Sequence, residues 1–245
     1  MVRDEWGTPV DPAKVEAAFA ANSGVKALAF VHAETSTGVL SDAQALCQIA
    51  HRYGALSIVD AVTSLGGSQL DVDGWGIDAI YSGTQKCLSC PPGISPVSFS
   101  EKALAAVEAR TTPTPSWFLD KKLVMGYWGE GAKRAYHHTA PVNSLYAFHE
   151  ALVMLQEEGL ENAWARHDYH HRALKAGLEA MGIGFLVAGV GALAGKVWRI
   201  GLMGAACNKK NVLLCLSALE NTLSQMEAPI LTGQALQAAQ RVYAA

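Results

Sequence analysis

Apolar and polar positions alternate between two periods along the first part of the chain. Asp11 to Asn22 (DPAKVEAAFAAN) opens on an Asp cap with a Pro just inside it, carries apolar residues at helical spacing and stops at Asn-Ser-Gly, which predicts a helix. Val25 to His32 (VKALAFVH) is a short apolar run ending in a polar turn, the pattern of a buried strand. Asp42 to Tyr53 (DAQALCQIAHRY), closed by Gly54, reads as a helix, and Ala55 to Asp60 (ALSIVD) as a second buried strand. Asp78 to Ser82 (DAIYS) and Val97 to Ser100 (VSFS) are two further short strands, with a helix near Glu101 to Arg110. Alternation of this kind predicts an α/β domain with a mainly parallel sheet and ligands beyond the carboxyl ends of its strands.

From Ala140 to Met181 the spacing is helical throughout, with Gly159 as a break, so two helices in succession are expected rather than one of unusual length. Lys196 to Leu202 (KVWRIGL) is strand-like, with Trp198 expected to pack inward, and Lys209 to Gln225 is helical again. The stretch after Met226 is weakly patterned.

Composition narrows the function classes. Half of the 245 residues are hydrophobic, enough for a sizeable core, and a net charge of −3 without a Lys/Arg cluster argues against a nucleic-acid or membrane surface and for small-molecule partners. Five cysteines without framework spacing favour a reducing compartment. No apolar leader and no terminal Ser-Lys-Leu is seen, so the cytoplasm is expected.

Asp60 ends its strand, and Lys86 follows the next through Ser82-Gly83-Thr84-Gln85, so a parallel sheet brings both to one carboxyl edge. Pyridoxal phosphate (PLP) enzymes use such a pair: a lysine amine forms a Schiff base with the cofactor aldehyde, and an aspartate keeps the pyridine nitrogen protonated. Spacing alone equally allows a capping Asp60 and a solvated Lys86.

Other clusters point elsewhere less strongly. Cys87-x-x-Cys90 lacks the second pair that a closed zinc site needs. The adjacent His137 and His138 are not expected to aim at one ion, and His167, His170 and His171, at i, i+3 and i+4, are expected on a solvated helix face. Trp164, Ala163, Leu174 and Leu178 are expected in the core, and no metal site is expected. GVGALAG (Gly189 to Gly195) lacks the strand and helix setting of a dinucleotide fingerprint.

Five blocks in order, HAETSTG (His32 to Gly38), VDAVTSLGG (Val59 to Gly67), GIDAIYSGTQKCLSCPPGISPVSFSEKA (Gly76 to Ala103), YHHTAPV (Tyr136 to Val142) and GKVWRIGLMG (Gly195 to Gly204), resemble the alanine-glyoxylate / serine-pyruvate aminotransferases of the class V, fold-type I PLP family. The resemblance implies a three-layer fold-type I large domain over residues 1–140, connecting long helices over 141–180 and a reduced α+β small domain over 181–245. It implies that Lys86 is the Schiff-base lysine, that Asp60 partners the pyridine nitrogen and that Val62 packs on the ring. Thr35 and Gln85 match cofactor contacts, Tyr136 and Thr139 match residues that reach the neighbouring subunit's cofactor phosphate across a homodimer, and Arg199 matches the arginine that pairs with the substrate carboxylate. The implied reaction is amino transfer between alanine or serine and glyoxylate or pyruvate. A cysteine desulfurase reading through Cys207 fits these blocks less well. By family analogy a peroxisomal site is the alternative compartment.

Against that family the chain starts well inside the large domain, without counterparts of the glycine-containing phosphate loop or the ring-stacking aromatic, and several small-domain elements are expected to be missing near Phe185 to Gly191. The alternative is therefore an inactive, truncated product that acts, if at all, by heterodimerising with a full-length relative.

Overall fold

In the computed structural model, which describes residues 1–128, 135–183 and 198–245, the Asp11 carboxylate caps the first helix by accepting from the Ala13 N–H at 2.8 Å. That helix, α1 (Pro12–Ala21), leads into β1 (Ala27–Val31), α2 (Ala43–Arg52) and β2 (Leu56–Asp60). Asp42 caps α2 through the Ala45 N–H at 2.9 Å, and Gly54 ends it at φ +68°, a conformation costly for any residue with a Cβ. β3 (Ala79–Tyr81), β4 (Val97–Phe99) and α3 (Glu101–Glu108) follow.

The sheet order is β1-β2-β3-β4. The first three strands are parallel, with Val31 opposite Asp60 and Asp60 opposite Tyr81, and β4 runs antiparallel to β3. The parallel expectation therefore holds for the strands that carry the site. α2 is the hinge of the packing: Leu46, Ile49 and Ala50 meet Val15 and Phe19 of α1, while Cys47 joins Val59, Ala61, Ile77 and Ile80 on the sheet. Leu46 is fully buried, and its truncation to Ala would cost about 2–5 kcal/mol.

α4 (Lys121–Trp128) precedes α5 (Val142–Glu158) and α6 (Leu160–Ala180), which are separated at Gly159 as the spacing predicts. A short turn at Gly204–Ala206 leads to α7 (Lys209–Gln225) and α8 (Ala235–Ala244). α6, α7 and α8 share a second core built on Leu174, Leu178, Met181, Val212, Leu216 and Ala239.

Two expectations need correction. Residues 198–202 are not a strand, and Trp198 is 65% exposed rather than packed inward. Among the described residues no strand lies beside that segment, and a lone extended segment has no ladder to satisfy its backbone. Residues 196–197, the Gly189 to Gly195 run and the Phe185 to Gly191 join lie outside the described residues. His167 and His170 are buried, because α6 turns that face toward the Gly204 turn and α8. The adjacent His137 and His138 meet each other, Nδ1 to Nδ1 at 2.7 Å, with Trp117 stacked on His137 and its carbonyl accepting from His137 Nε2 at 3.1 Å. They bond to each other, and among the described residues no group of three metal-ligating side chains forms.

Candidate active site

Asp60 is the last residue of β2, so its carboxylate leaves the sheet at the carboxyl edge. Its Oδ1 accepts from the Val62 N–H at 2.9 Å and its Oδ2 from the Tyr81 hydroxyl at 2.8 Å. Each carboxylate oxygen has two acceptor sites, so Asp60 keeps capacity for a further donor. The shared proton raises the Tyr81 phenol above its ordinary pKa, with burial and the Asp60 charge adding to the effect. Tyr81 carries no sequence motif. It is found by aligning the ends of the two parallel strands, which sets it opposite Asp60.

The turn that carries Lys86 is tied down on both sides of the lysine. Cys87, Leu88 and Cys90 are buried, while Lys86 is half-buried. The fully buried Thr84 donates through its hydroxyl to the Pro91 carbonyl at 2.9 Å, and its own carbonyl accepts from the Cys90 N–H at 3.0 Å. The Cys87 thiol reaches the Thr63 carbonyl at 3.3 Å, and the Ser82 hydroxyl donates to the Ala61 carbonyl at 2.9 Å. These contacts join the lysine turn to the turn that follows Asp60. The Thr63 hydroxyl in turn bonds the Ala33 carbonyl, which holds the Thr35 turn alongside. Thr35, Asp60, Val62, Gln85 and Lys86 thus occupy three linked turns at one sheet edge.

At Gly83, a Cβ would lie 2.8 Å from the Gln85 side-chain oxygen and 3.5 Å from the Val62 methyl, so the bare glycine backbone leaves the exposed Gln85 side chain room to lie beside Val62. His32, just after β1, is buried edge-on to Trp75 with its Nδ1 unpartnered among the described residues. Burial lowers its pKa, partly offset by the Asp42 charge.

Tyr136, Thr139 and Arg199 are placed differently. Tyr136 and Thr139 are exposed and share a hydrogen bond at 2.7 Å, with no hydrogen bond to the lysine turn among the described residues. Arg199 is exposed on the irregular segment that precedes Gly204. Cys207 is fully buried, and its thiol is pushed up to about 11 by that burial, which makes it a poor nucleophile near neutral pH.

The donor set fits PLP: an amine without a charge partner among the described residues, a carboxylate with spare acceptor capacity, and Val62 and Gln85 beside the open Gly83 backbone at one edge.

The family described as Aminotransferase class-V matches residues 7–193. The (S)-ureidoglycine--glyoxylate transaminase of Bacillus subtilis is 35% identical over 99% of this chain and 71% of its own length. That alignment runs over 297 residues against a chain of 245, so the relative carries internal residues with no counterpart here. The alanine--glyoxylate aminotransferase of Callithrix jacchus is 38% identical over 80% of this chain, which spans 56% of that relative's length. The crystal structure of ureidoglycine-glyoxylate aminotransferase from Bacillus subtilis superposes with a TM-score of 0.93 at 37% identity, over 100% of this chain and 72% of that one. The α/β fold is that of PLP aminotransferases, pyridoxal phosphate is the cofactor the family implies, and the chain belongs to the class-V aminotransferase family.

Proposed function

We propose that this chain carries the site of a PLP-dependent transaminase that moves an amino group between a small amino acid, alanine or serine, and a 2-oxo acid, glyoxylate or pyruvate. Both relatives named above have glyoxylate in their names, which supports it as the acceptor, while ureidoglycine competes with alanine and serine as donor. The observation that carries the reading is the shared sheet edge. Lys86, with no hydrogen-bond or ion-pair partner among the described residues, stands on a turn bonded to the one after Asp60.

When bound, the cofactor supplies an electron sink that acidifies the Cα–H of an attached amino acid. Lys86 would hold the cofactor through its Nζ and, once released by the substrate amine, take the Cα proton on that same nitrogen. Asp60 would keep a proton on the pyridine nitrogen, with Val62 on the ring, Thr35 near its phenolic oxygen and Gln85 at the phosphate. Arg199 would take the substrate carboxylate with its planar fork.

Tyr136 and Thr139 would serve the neighbouring subunit's cofactor in a homodimer. Support comes from a linked set of rings in that region: Trp117 stacked on His137 at 4.0 Å, Phe118 at 5.2 Å from His138 and Tyr127 at 6.0 Å from Tyr136. Trp117, Phe118 and Tyr136 are all more than half exposed, a surface suited to a second chain. The same reading divides the chain into a large-domain part to residue 140, connecting helices over 141–180 and a small-domain part over 181–245.

The second reading, an inactive product that pairs with a full-length relative, is favoured by the internal residues of the Bacillus relative that have no counterpart here. One spectrum separates the two. PLP added to the folded chain is expected to give a visible absorbance band that Lys86→Ala abolishes, with amino transfer from alanine to glyoxylate falling by about 10²–10⁴-fold. A folded chain without such a band overturns the active reading.

A further inference from the structure

The lysine turn and the segment after Arg199 are far apart in sequence, and α6 holds them together. Gly204 has φ +59°, and a Cβ there would overlap the Ser89 hydroxyl and lie 3.1 Å from the Cys87 carbonyl and 3.2 Å from that of Lys86. The backbone just after Arg199 therefore lies directly on the lysine turn. Ser89 itself sits at φ +58°, a position uncommon for a non-glycine residue, and its hydroxyl accepts from the Ala205 N–H at 2.7 Å.

Two neighbours on α6 grip the same segment. Arg166 donates through Nη1 to the Gly204 and Cys207 carbonyls, both at 2.8 Å. Its Nε and Nη2 fork onto the Glu158 carboxylate at 2.5 and 2.9 Å, which fixes the guanidinium plane. His167 Nε2 accepts the Gly204 N–H at 2.9 Å, so that nitrogen carries no proton. The ring's one hydrogen is on Nδ1 and goes to the Ala163 carbonyl at 2.6 Å. Burial lowers the His167 pKa and Arg166 adds to this, against the helix carbonyl and Glu158, which favours the neutral ring the bond requires.

We propose that Arg166 and His167 are positioning residues that dock the segment following Arg199 onto the Lys86 turn, so that the carboxylate-binding arginine and the amine are registered through α6. Resting on the roles given above to Lys86 and Arg199, this assigns the alignment of amine and carboxylate fork to side chains that touch neither substrate nor cofactor. Misplacement of reacting groups by about 1 Å can cost about 10²-fold in rate, so the bracket would act on turnover from outside the pocket.

The test compares the 245-residue chain, without cofactor, with three variants by amide hydrogen exchange. His167→Phe fills the space but cannot accept the Gly204 N–H, His167→Gln restores an acceptor, and Arg166→Lys keeps the charge but not the fork. In His167→Phe, exchange is expected to rise about tenfold in both the 84–90 and 204–207 segments while the α7 and α8 core keeps its protection, with Gln recovering most of the loss and Lys falling between. On chain that shows the Lys86-dependent band, KM for the amino donor is expected to rise several-fold in His167→Phe with the band retained. Exchange that rises at 204–207 while 84–90 stays protected, or an unchanged KM per cofactor-loaded chain, overturns the proposal. If His167→Phe does not fold, the Gln and Lys variants carry the same comparison. A missing band in the parent chain overturns the reading of Lys86 instead, and the exchange data still decide whether the two segments are coupled.

Discussion

Asp60 and Asp78 stand at opposite ends of the same sheet and are used in opposite ways. Asp78, just before β3, is buried at the amino edge and saturated. Its Oδ2 accepts from the Ser57 N–H at 2.9 Å and meets His51 Nε2 at 3.2 Å and Lys102 Nζ at 3.4 Å, while its Oδ1 accepts from the Ser100 hydroxyl at 2.8 Å. Ser100 also caps α3 through the Ala103 N–H at 3.1 Å, so one carboxylate joins β2 and β3 to both α2 and α3. Asp60, at the carboxyl edge, has two donors and remains half-buried. The lysines divide likewise: Lys102 is spent on the Ala55 carbonyl at 2.6 Å and on Asp78, while Lys86 has no such partner among the described residues. Saturation marks the carboxylate that holds the fold, and spare capacity marks the one open to a ligand.

The largest break in that comparison comes from exchanging the two losses. Asp78→Ala strips the partner from a buried, multiply bonded site and is expected to cost about 3–5 kcal/mol in denaturant unfolding. Asp60→Asn is expected to move stability by less than about 1 kcal/mol yet lower kcat/KM for alanine and glyoxylate by about 10²-fold or more. Equal stability losses in the two variants would end the distinction between a structural and a functional edge.

Tyr81→Phe sharpens the comparison at lower amplitude. The change deletes one donor to Asp60 and leaves a ring of the same shape on a residue that is 42% exposed. A fall in kcat of about three- to tenfold is expected, with stability changed by less than about 0.5 kcal/mol. A stability loss without a kinetic one would class the Tyr81–Asp60 bond with the Asp78 clasp.

Sequence patterning reached the sheet edge because short apolar runs that end in polar residues report strand ends: Asp60 lies at one such end and Lys86 on the turn that follows the next. Gly159 was equally readable as a helix break. α8 was passed over although Ala235, Ala238, Ala239 and Val242 recur at helical spacing, because its buried positions are mostly alanines, which carry a weaker hydrophobic signal than the Leu and Val of the other helices. α4 buries none of its residues and so has no apolar stripe to read. His167 and His170 misled for a related reason: a histidine triad at i, i+3 and i+4 has the polarity of a solvated face, and only the docking of the Gly204 turn and of Tyr243 shows two of them to be interior acceptors or donors. The Asp60–Tyr81 bond and the Arg166–His167 bracket depend on strand register and long-range packing, which no local pattern encodes.

The smallest effect is the pH dependence of the amino edge. Burial by itself would raise the Asp78 pKa, but the Ser57 N–H, the Ser100 hydroxyl, the Lys102 charge and His51 together hold it below the ordinary carboxylate value. A folded pKa below the unfolded one means that the stabilisation is complete above the ordinary Asp value of about 3.9 and is lost as pH falls from there through the lower folded value. One proton bounds the slope at about 1.4 kcal/mol per pH unit. Urea midpoints measured from about pH 5 down to about pH 3 are therefore expected to fall in the parent chain and in Lys86→Ala, which keeps the clasp, and to fall less steeply in Asp78→Asn. Equal slopes in all three would mean that the acid sensitivity lies in other carboxylates, and that the saturation of Asp78 fixes geometry without storing linked stability.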